Sequence, residues 1–552
     1  MKRMTKYFAI FLSGLLLASC AAMDEMVPQG STTTSEQVQE ATGVIPERSE
    51  ADVAGIYTYA GQGFAVFGSS QNAHNDFGYP AVCIAQDSNG PDMVCANSNY
   101  NWFSPSYDYS DRQSNYILCY LRYSYFYSQI RLCNEVLAGY IGTDYSTASQ
   151  TARHSAGQAL AVRAFDYLGM APYYQFRYVD SKDLPCIPVV LEGMTQEQYA
   201  SNPRASVHTV YSRIITDLTQ AIDLLEGYNR SGDKSRVDQQ VAYGIRARAY
   251  LSMGMYAEAA ADAEAALEGY TPYSLDEVSV PAFCNMADHN WLWGILQESD
   301  QVQMLVSWPS HLCSFSATSY TAGTGVYKRI SSALYDVIPS TDVRKGWWTD
   351  ARNQTPLLDG LSWAGYPGRD IPTLTIPNTK VAFSPYSVVK FGMKHGIGST
   401  DNASDWCLMR AEEMILIRAE GLVMSGREAE GRQVLEDFVR NYRDPEYTCT
   451  ASTPEQLQTE IWKQRRIELW GEGFSMYDIM RLNKPMVRIH GSSTYNWPDA
   501  YAFNIEPNDP YLLLRFPLRE TNSNTAIPAT ENTGGTAPQP RQNSDLRDGV
   551  TE

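Results

Sequence analysis

The stretch MRAEEMILIRAEGLVM, Met409–Met424, runs into Ser425-Gly426-Arg427 and then into EAEGRQVLEDFVRNY, Glu428–Tyr442. Apolar side chains recur three and four residues apart on both sides of the Ser-Gly-Arg break, the period of a helix with one buried face. The segment reads as a helical hairpin: a helix out, a tight turn, a helix back.

A second unit of this kind lies upstream. Val241–Leu251 and Met255–Leu267 are separated by a Ser-Met-Gly turn, and Tyr256-Ala257-Glu258-Ala259-Ala260-Ala261-Asp262-Ala263 sets alanines where two helices must approach closely. This is the size and composition of a tetratricopeptide-type hairpin, although no repeat period is legible. Further helices are expected at Tyr116–Leu137, rich in aromatics, at Thr151–Leu168 (Ala156, Leu160, Ala164, Tyr167) and at Val210–Leu225 (Ile214, Leu218, Ala221, Leu225). The last strong one has Thr453 as N-cap and Pro454 in its first turn, and continues to about Trp470. From about Tyr270 to Ser404 the helical period fades apart from Ser331–Val337, while Gly, Pro, Ser, Asn and aromatics rise. Such a segment is a second layer or a set of functional loops. The tail beyond about Asn524 is rich in Thr, Pro and Gly and reads as irregular. The fold class is mostly α, with an N-terminal helical region at 51–269, a loop-rich region at 270–404 and a C-terminal helical region with its tail at 405–552.

A chain of 552 residues exceeds one ordinary core and implies two to four structural units. Its 44% apolar and 19% charged residues mark a folded protein. With 62 acids against 43 bases the net charge is −19, which argues against nucleic acid as a partner. The 37 Tyr, 17 Phe and 11 Trp must fill a helical core, line a surface that ligands touch, or do both.

Lys2, Arg3 and Lys6 precede a short apolar run, Tyr7–Leu17, too short for a spanning helix of about 20 residues, so 1–19 reads as a signal peptide. It ends Leu17-Ala18-Ser19-Cys20, which resembles a bacterial lipobox; in that resemblance Cys20 is lipidated and becomes the first mature residue. Residues 20–50 are polar and form a tether that holds the folded part off the lipid. The nine later cysteines show no metal-ligand spacing and read mostly as small buried residues, with one incidental disulfide left open.

Five stretches, in order, resemble the SusD/RagB outer-membrane lipoproteins of Bacteroidota. Arg410-Ala411-Glu412-Glu413-Met414-Ile415-Leu416-Ile417-Arg418-Ala419-Glu420 is similar to the family's signature helix. Gly157–Ala164 with Tyr167-Leu168 is similar to its early helix, and Ile330–Asp336 with Asp342-Val343-Arg344 to its middle motif. Arg465-Arg466-Ile467-Glu468-Leu469, Glu472-Gly473-Phe474, Tyr477-Asp478 and Arg481 resemble its long C-terminal motif. Phe516-Pro517-Leu518, Glu520, Asn524 and Gln542-Asn543 resemble its closing segments. Phe474 departs from the pattern, which usually has Arg there. The resemblance implies four tetratricopeptide-like hairpins supporting a loop-rich face. It also implies a cell-surface lipoprotein that caps a TonB-dependent transporter and hands it a captured nutrient, most often a glycan.

The sequence carries no HExxH, GxSxG, P-loop or helix-opening GxGxxG, and its seven histidines are dispersed. No calcium loop of the DxDxDG kind is present. Neither a catalytic residue nor a metal nor a cofactor is expected. Glu412, Glu413, Glu468 and Glu472 could be imagined as acid/base pairs, but neighbouring arginines lower a carboxyl pKa rather than raise it, so these read as ion pairs between helices. Binding is better supported. Asn97–Tyr109 is loop-like, and sugars, which offer apolar C–H faces rimmed by hydroxyls, want flat rings plus Asn and Asp. Candidate ligand contacts are Trp102, Asn101 and Tyr107, with Asn75 and Asp76 from the polar stretch Asn72–Gly78. Trp291, Trp293, Trp308 and Tyr320 are the candidates in the middle region. Pro105 argues against a continuing helix and so sets Trp102 in a loop. Trp347, Trp348, Trp462 and Trp470 read as packing. The leading expectation is oligosaccharide capture; a peptide-binding member of the same family and a lipid-anchored glycoside hydrolase are the alternatives.

Overall fold

The computed structural model describes residues 47–358, the paired strands 362–363 and 366–367, 381–532 and 534–552. Cys20, the leader and nearly all of the tether lie outside the described residues. The principal helices are α1 (Glu47–Ala60), α2 (Tyr79–Asn89), α3 (Ile117–Ala138), α4 (Gln150–Met170), α5 (Val207–Leu224) and α6 (Gln239–Met253). They continue with α7 (Tyr256–Ala266), α8 (Ala411–Met424), α9 (Glu428–Tyr442) and α10 (Pro454–Glu468). Each helix from α3 to α8 packs on the next, and α8 also carries α9 and α10. One continuous helical stack results, in which α7 and α8 are neighbours despite the long segment between them.

Local chemistry explains the stack. On α5, Val210, Ile214, Leu218 and Ala221 fall on one buried face, behind a Ser206 cap that accepts from the Thr209 amide. Burying one such aliphatic side chain stabilises by about 1.5–3 kcal/mol. The turn between α6 and α7 closes at Gly254, whose φ of 74° suits glycine. The alanines of α7 do what their size allows: Ala259, Ala260 and Ala263 are buried, and α8 comes so near that a Cβ on Gly421 would lie 2.6 Å from the Tyr256 carbonyl oxygen. Thr453 caps α10, its hydroxyl accepting from the Gln456 amide at 3.3 Å, with Pro454 behind it in the first turn.

Two short antiparallel ladders organise the rest. Strand β1 (Met93–Val94) pairs with β3 (Arg329–Ile330), and β2 (Trp291–Ile295) pairs with β4 (Trp406–Arg410). The latter corrects the helical reading of Met409 and Arg410: both belong to β4, and α8 begins at Ala411. The helical period could not exclude this, because a short buried apolar run suits a strand or a helix turn equally.

Beneath these elements lies a buried ion network. Arg410 bonds Glu468 and Glu472 at 2.8 Å each, Arg443 bonds Glu468 at 2.8 Å and Glu412 at 3.1 Å, and Arg344 reaches Glu468 at 3.2 Å. Glu413 pairs with Arg248 at 2.6 Å. Burial alone would raise the Glu468 carboxyl; Arg443, Arg410 and Arg344 outweigh it and hold it well below the usual carboxylate range. The four carboxylates thus tie strands and helices together as ion pairs. The nine described cysteines are free thiols, and all but Cys284 are buried.

Candidate ligand-binding site

Strand β1 runs directly into the loop 95–103, which presents Tyr100 and Trp102. Tyr100 is 58% exposed and Trp102 part-buried. The loop ends in a one-turn helix, Ser104–Tyr107, with Pro105 in its first turn. Pro105 therefore starts a helical turn, where its missing N–H costs nothing, and Trp102 sits just outside it.

Trp102 is part of an aromatic cluster. The His74 ring lies flat on the indole, centroids 5.0 Å apart and planes 10° from parallel. Tyr320 sets its edge to both, 6.3 Å from Trp102 and 5.8 Å from His74. Behind it, His311 stacks on Tyr320 at 5.0 Å and on Phe77 at 5.2 Å. Hydrogen bonds lock the rings. His311 Nε2–H donates to the His74 carbonyl at 2.9 Å. His74 Nε2–H donates to Asn72 Oδ1 at 2.9 Å, which leaves Nδ1 to accept from the Tyr320 hydroxyl at 2.7 Å. Both imidazoles are neutral: burial lowers His74, while burial and the nearby Lys328 charge push His311 down to about 3.

Several candidates from the sequence take other roles. Asn75 is 4% exposed and donates from Nδ2 to the Trp102 carbonyl at 3.0 Å. Asn101 is likewise buried; its Oδ1 accepts from the Phe103 amide and from Lys328 Nζ, both at 3.2 Å. These amides hold the loop in shape and do not face outward. Asp76 is fully buried and accepts from the Val66 and Phe67 amides at 3.0 and 2.9 Å. Burial raises its carboxyl, the opposite of an exposed hydrogen-bonding partner. Tyr107 is core, stacked on Tyr501 at 5.3 Å. Trp291, Trp293 and Trp308 are at most 2% exposed; Trp293 Nε1 donates to Ser235 O at 3.0 Å and Trp308 Nε1 to Ser404 O at 2.7 Å. These three indoles belong to the core, not to an open face, as do Trp347, Trp348, Trp462 and Trp470. Of the four middle-region candidates Trp291, Trp293, Trp308 and Tyr320, it is Tyr320 that joins Trp102.

The sequence reading treats histidine only as catalyst or metal ligand, and neither His74 nor His311 has a second histidine at ligand spacing in the chain. His74 lies inside the polar stretch Asn72–Gly78, and that neighbourhood was the available signal. Among the described residues no group of three His, Cys, Asp or Glu gathers as a metal would require.

A stack of helical hairpins bearing a part-open aromatic cluster on a loop defines a helix-scaffolded binding protein. The family description "Starch-binding associating with outer membrane" matches residues 73–251, and that of the SusD family matches residues 357–530. The chain belongs to the SusD/RagB family. It resembles the crystal structure of a SusD-like carbohydrate binding protein from Bacteroides vulgatus at 24% identity and a TM-score of 0.71, over 89% of this chain and 98% of the other. A SusD superfamily protein from Bacteroides thetaiotaomicron gives 18% identity and a TM-score of 0.68 over 87% and 98%. A putative sugar binding protein from Bacteroides vulgatus gives 21% and 0.67 over 87% and 97%. At these identities the likeness concerns the fold. No curated protein matches the chain.

Proposed function

We propose that this chain is a non-catalytic, cell-surface lipoprotein, anchored in the outer membrane through Cys20, that captures an oligosaccharide and passes it to a TonB-dependent outer-membrane transporter. The observation that carries the reading is the cluster around Trp102. Neutral rings locked by hydrogen bonds, next to an exposed Tyr100, offer a rigid platform for the C–H face of a sugar at little entropic cost. The family membership, and structural relatives described as carbohydrate or sugar binding proteins, support the ligand class. Pairing of Glu412, Glu413, Glu468 and Glu472 with arginines supports a binding role over hydrolysis, since a general acid needs a raised pKa. The lipobox-like Leu17-Ala18-Ser19-Cys20 supports the lipid anchor; among the described residues no helix is long and apolar enough to cross a membrane.

Trp102→Ala should weaken oligosaccharide binding about thirtyfold in calorimetry, the loss of about 2 kcal/mol expected of an aromatic anchor, with a nearly unchanged melting temperature. Unaltered affinity, or a collapse of the melting temperature, removes Trp102 from the site. Purification in mild detergent should recover a large outer-membrane barrel with the wild-type chain; recovery of the lipoprotein alone counts against the transporter role.

A further inference from the structure

Most buried cations of this acidic chain have an acidic partner: Arg112, Arg163, Arg344, Arg410, Arg443 and Arg466 each pair with Asp or Glu. Arg488 does not, but its guanidinium donates to five backbone carbonyls. Two consecutive residues at β3 break the rule. Lys328 is 1% exposed, and among the described residues its Nζ bonds only Asn101 Oδ1 at 3.2 Å and Cys95 Sγ at 3.5 Å. It also faces the rings of Phe103 and Tyr107 at 5.5 and 5.3 Å. Arg329 is part-buried, and its guanidinium makes no hydrogen bond or ion pair among the described residues. The titratable groups near the two cations are Cys95, Tyr107 and His311, with no carboxylate in reach among the described residues, and burial lowers both cations.

Their position is specific. Arg329 pairs with Val94 across the β1–β3 ladder, and Val94 leads into the loop that carries Tyr100 and Trp102. Lys328 holds that loop through Asn101 and lies close enough to His311 to keep it neutral. A desolvated charge without a counter-ion is costly, and a guanidinium fork left open matches the two oxygens of a carboxylate or sulfate. At physiological salt the repulsion from the acidic remainder of the chain is screened beyond about 8 Å, so a local cation pair sets the sign felt by a bound ligand.

We infer that the Trp102 platform takes an anionic oligosaccharide, one bearing a carboxylate or sulfate, with Arg329 as its counter-ion and Lys328 charging the floor beneath. The inference rests on the glycan-capture reading and narrows it to acidic sugars.

The test is a calorimetric panel of acidic oligosaccharides (galacturonan, alginate, chondroitin sulfate, heparin) and neutral ones (maltoheptaose, cellohexaose, xylohexaose, mannan oligomers). It is run on the wild-type chain, Trp102→Ala, Arg329→Gln and Arg329→Lys, with a melting temperature for each variant. Binding confined to acidic members is expected, weakened by added salt, lost about tenfold or more in Arg329→Gln, partly kept in Arg329→Lys, and weakened about thirtyfold in Trp102→Ala. Trp102-dependent binding of a neutral member that Arg329→Gln leaves unchanged overturns the acidic-ligand inference and leaves glycan capture standing. Binding to no member of the panel overturns both.

Discussion

The neighbourhood of Glu468 and the root of the Trp102 loop both hold buried charge, yet they are built on opposite terms. Around Glu468 every charge meets its opposite: Arg344, Arg410 and Arg443 converge on one carboxylate, and Glu412 and Glu472 complete the set. At the loop, Lys328 and Arg329 stand together with amides, rings and a thiol but, among the described residues, no acid. A saturated network can only hold elements in register. An unsaturated one is unstable by itself and has capacity left for something that arrives. The difference separates scaffold from site more sharply than the distribution of aromatic rings, which fill both.

The largest effect should follow from breaking the saturated network. Glu468→Ala leaves three guanidinium groups facing an empty position and should lower unfolding free energy by about 3–5 kcal/mol in urea titration. The pH dependence has a definite sign. The folded-state pKa values of Glu468 and Glu472 lie below the ordinary 4.5, so their stabilisation is complete above 4.5 and drains away as pH falls through the depressed values. The gap between wild type and Glu468→Ala should therefore shrink as pH drops below 4.5. A gap that stays constant in acid, or a variant as stable as wild type, would erase the contrast between the two regions.

The smallest stability effect should come from the other side. Lys328→Met replaces an unpaired buried ammonium with an apolar chain of similar length, and folding free energy should be unchanged or slightly raised, within about 1 kcal/mol. Ligand affinity should still fall severalfold, because Asn101 loses a hydrogen-bond donor and the loop its brace. A large drop in melting temperature would place Lys328 with the scaffold.

Local pattern explains which parts were readable. Helices α5, α6, α7 and α9 follow the spacing of their apolar residues, and Thr453-Pro454 starts α10 through cap chemistry that needs no tertiary partner. Arginines close in sequence mark Glu468 and Glu472 as ion pairs, while the fold brings in the distant partners Arg410 and Arg443. Outside the helices the same logic stops. Trp293 and Trp308 sit in a segment rich in Gly, Pro and Asn, where no period tells which way a ring faces, and both turned inward. Asn101 looks from sequence like an outward amide; the buried Lys328 makes it an internal brace.

The helical hairpins, their caps and turns, and the ordered motifs that mark the family are legible in the chain alone, because each depends on residues within a few turns of one another. Folding in space brings His74, Trp102, His311 and Tyr320 into one cluster and sets Lys328 and Arg329 at its root with no acid beside them among the described residues. Ring stacking and charge compensation act over a few ångströms in space, and residues far apart along the chain acquire those distances only when the strands and loops between the helices have packed.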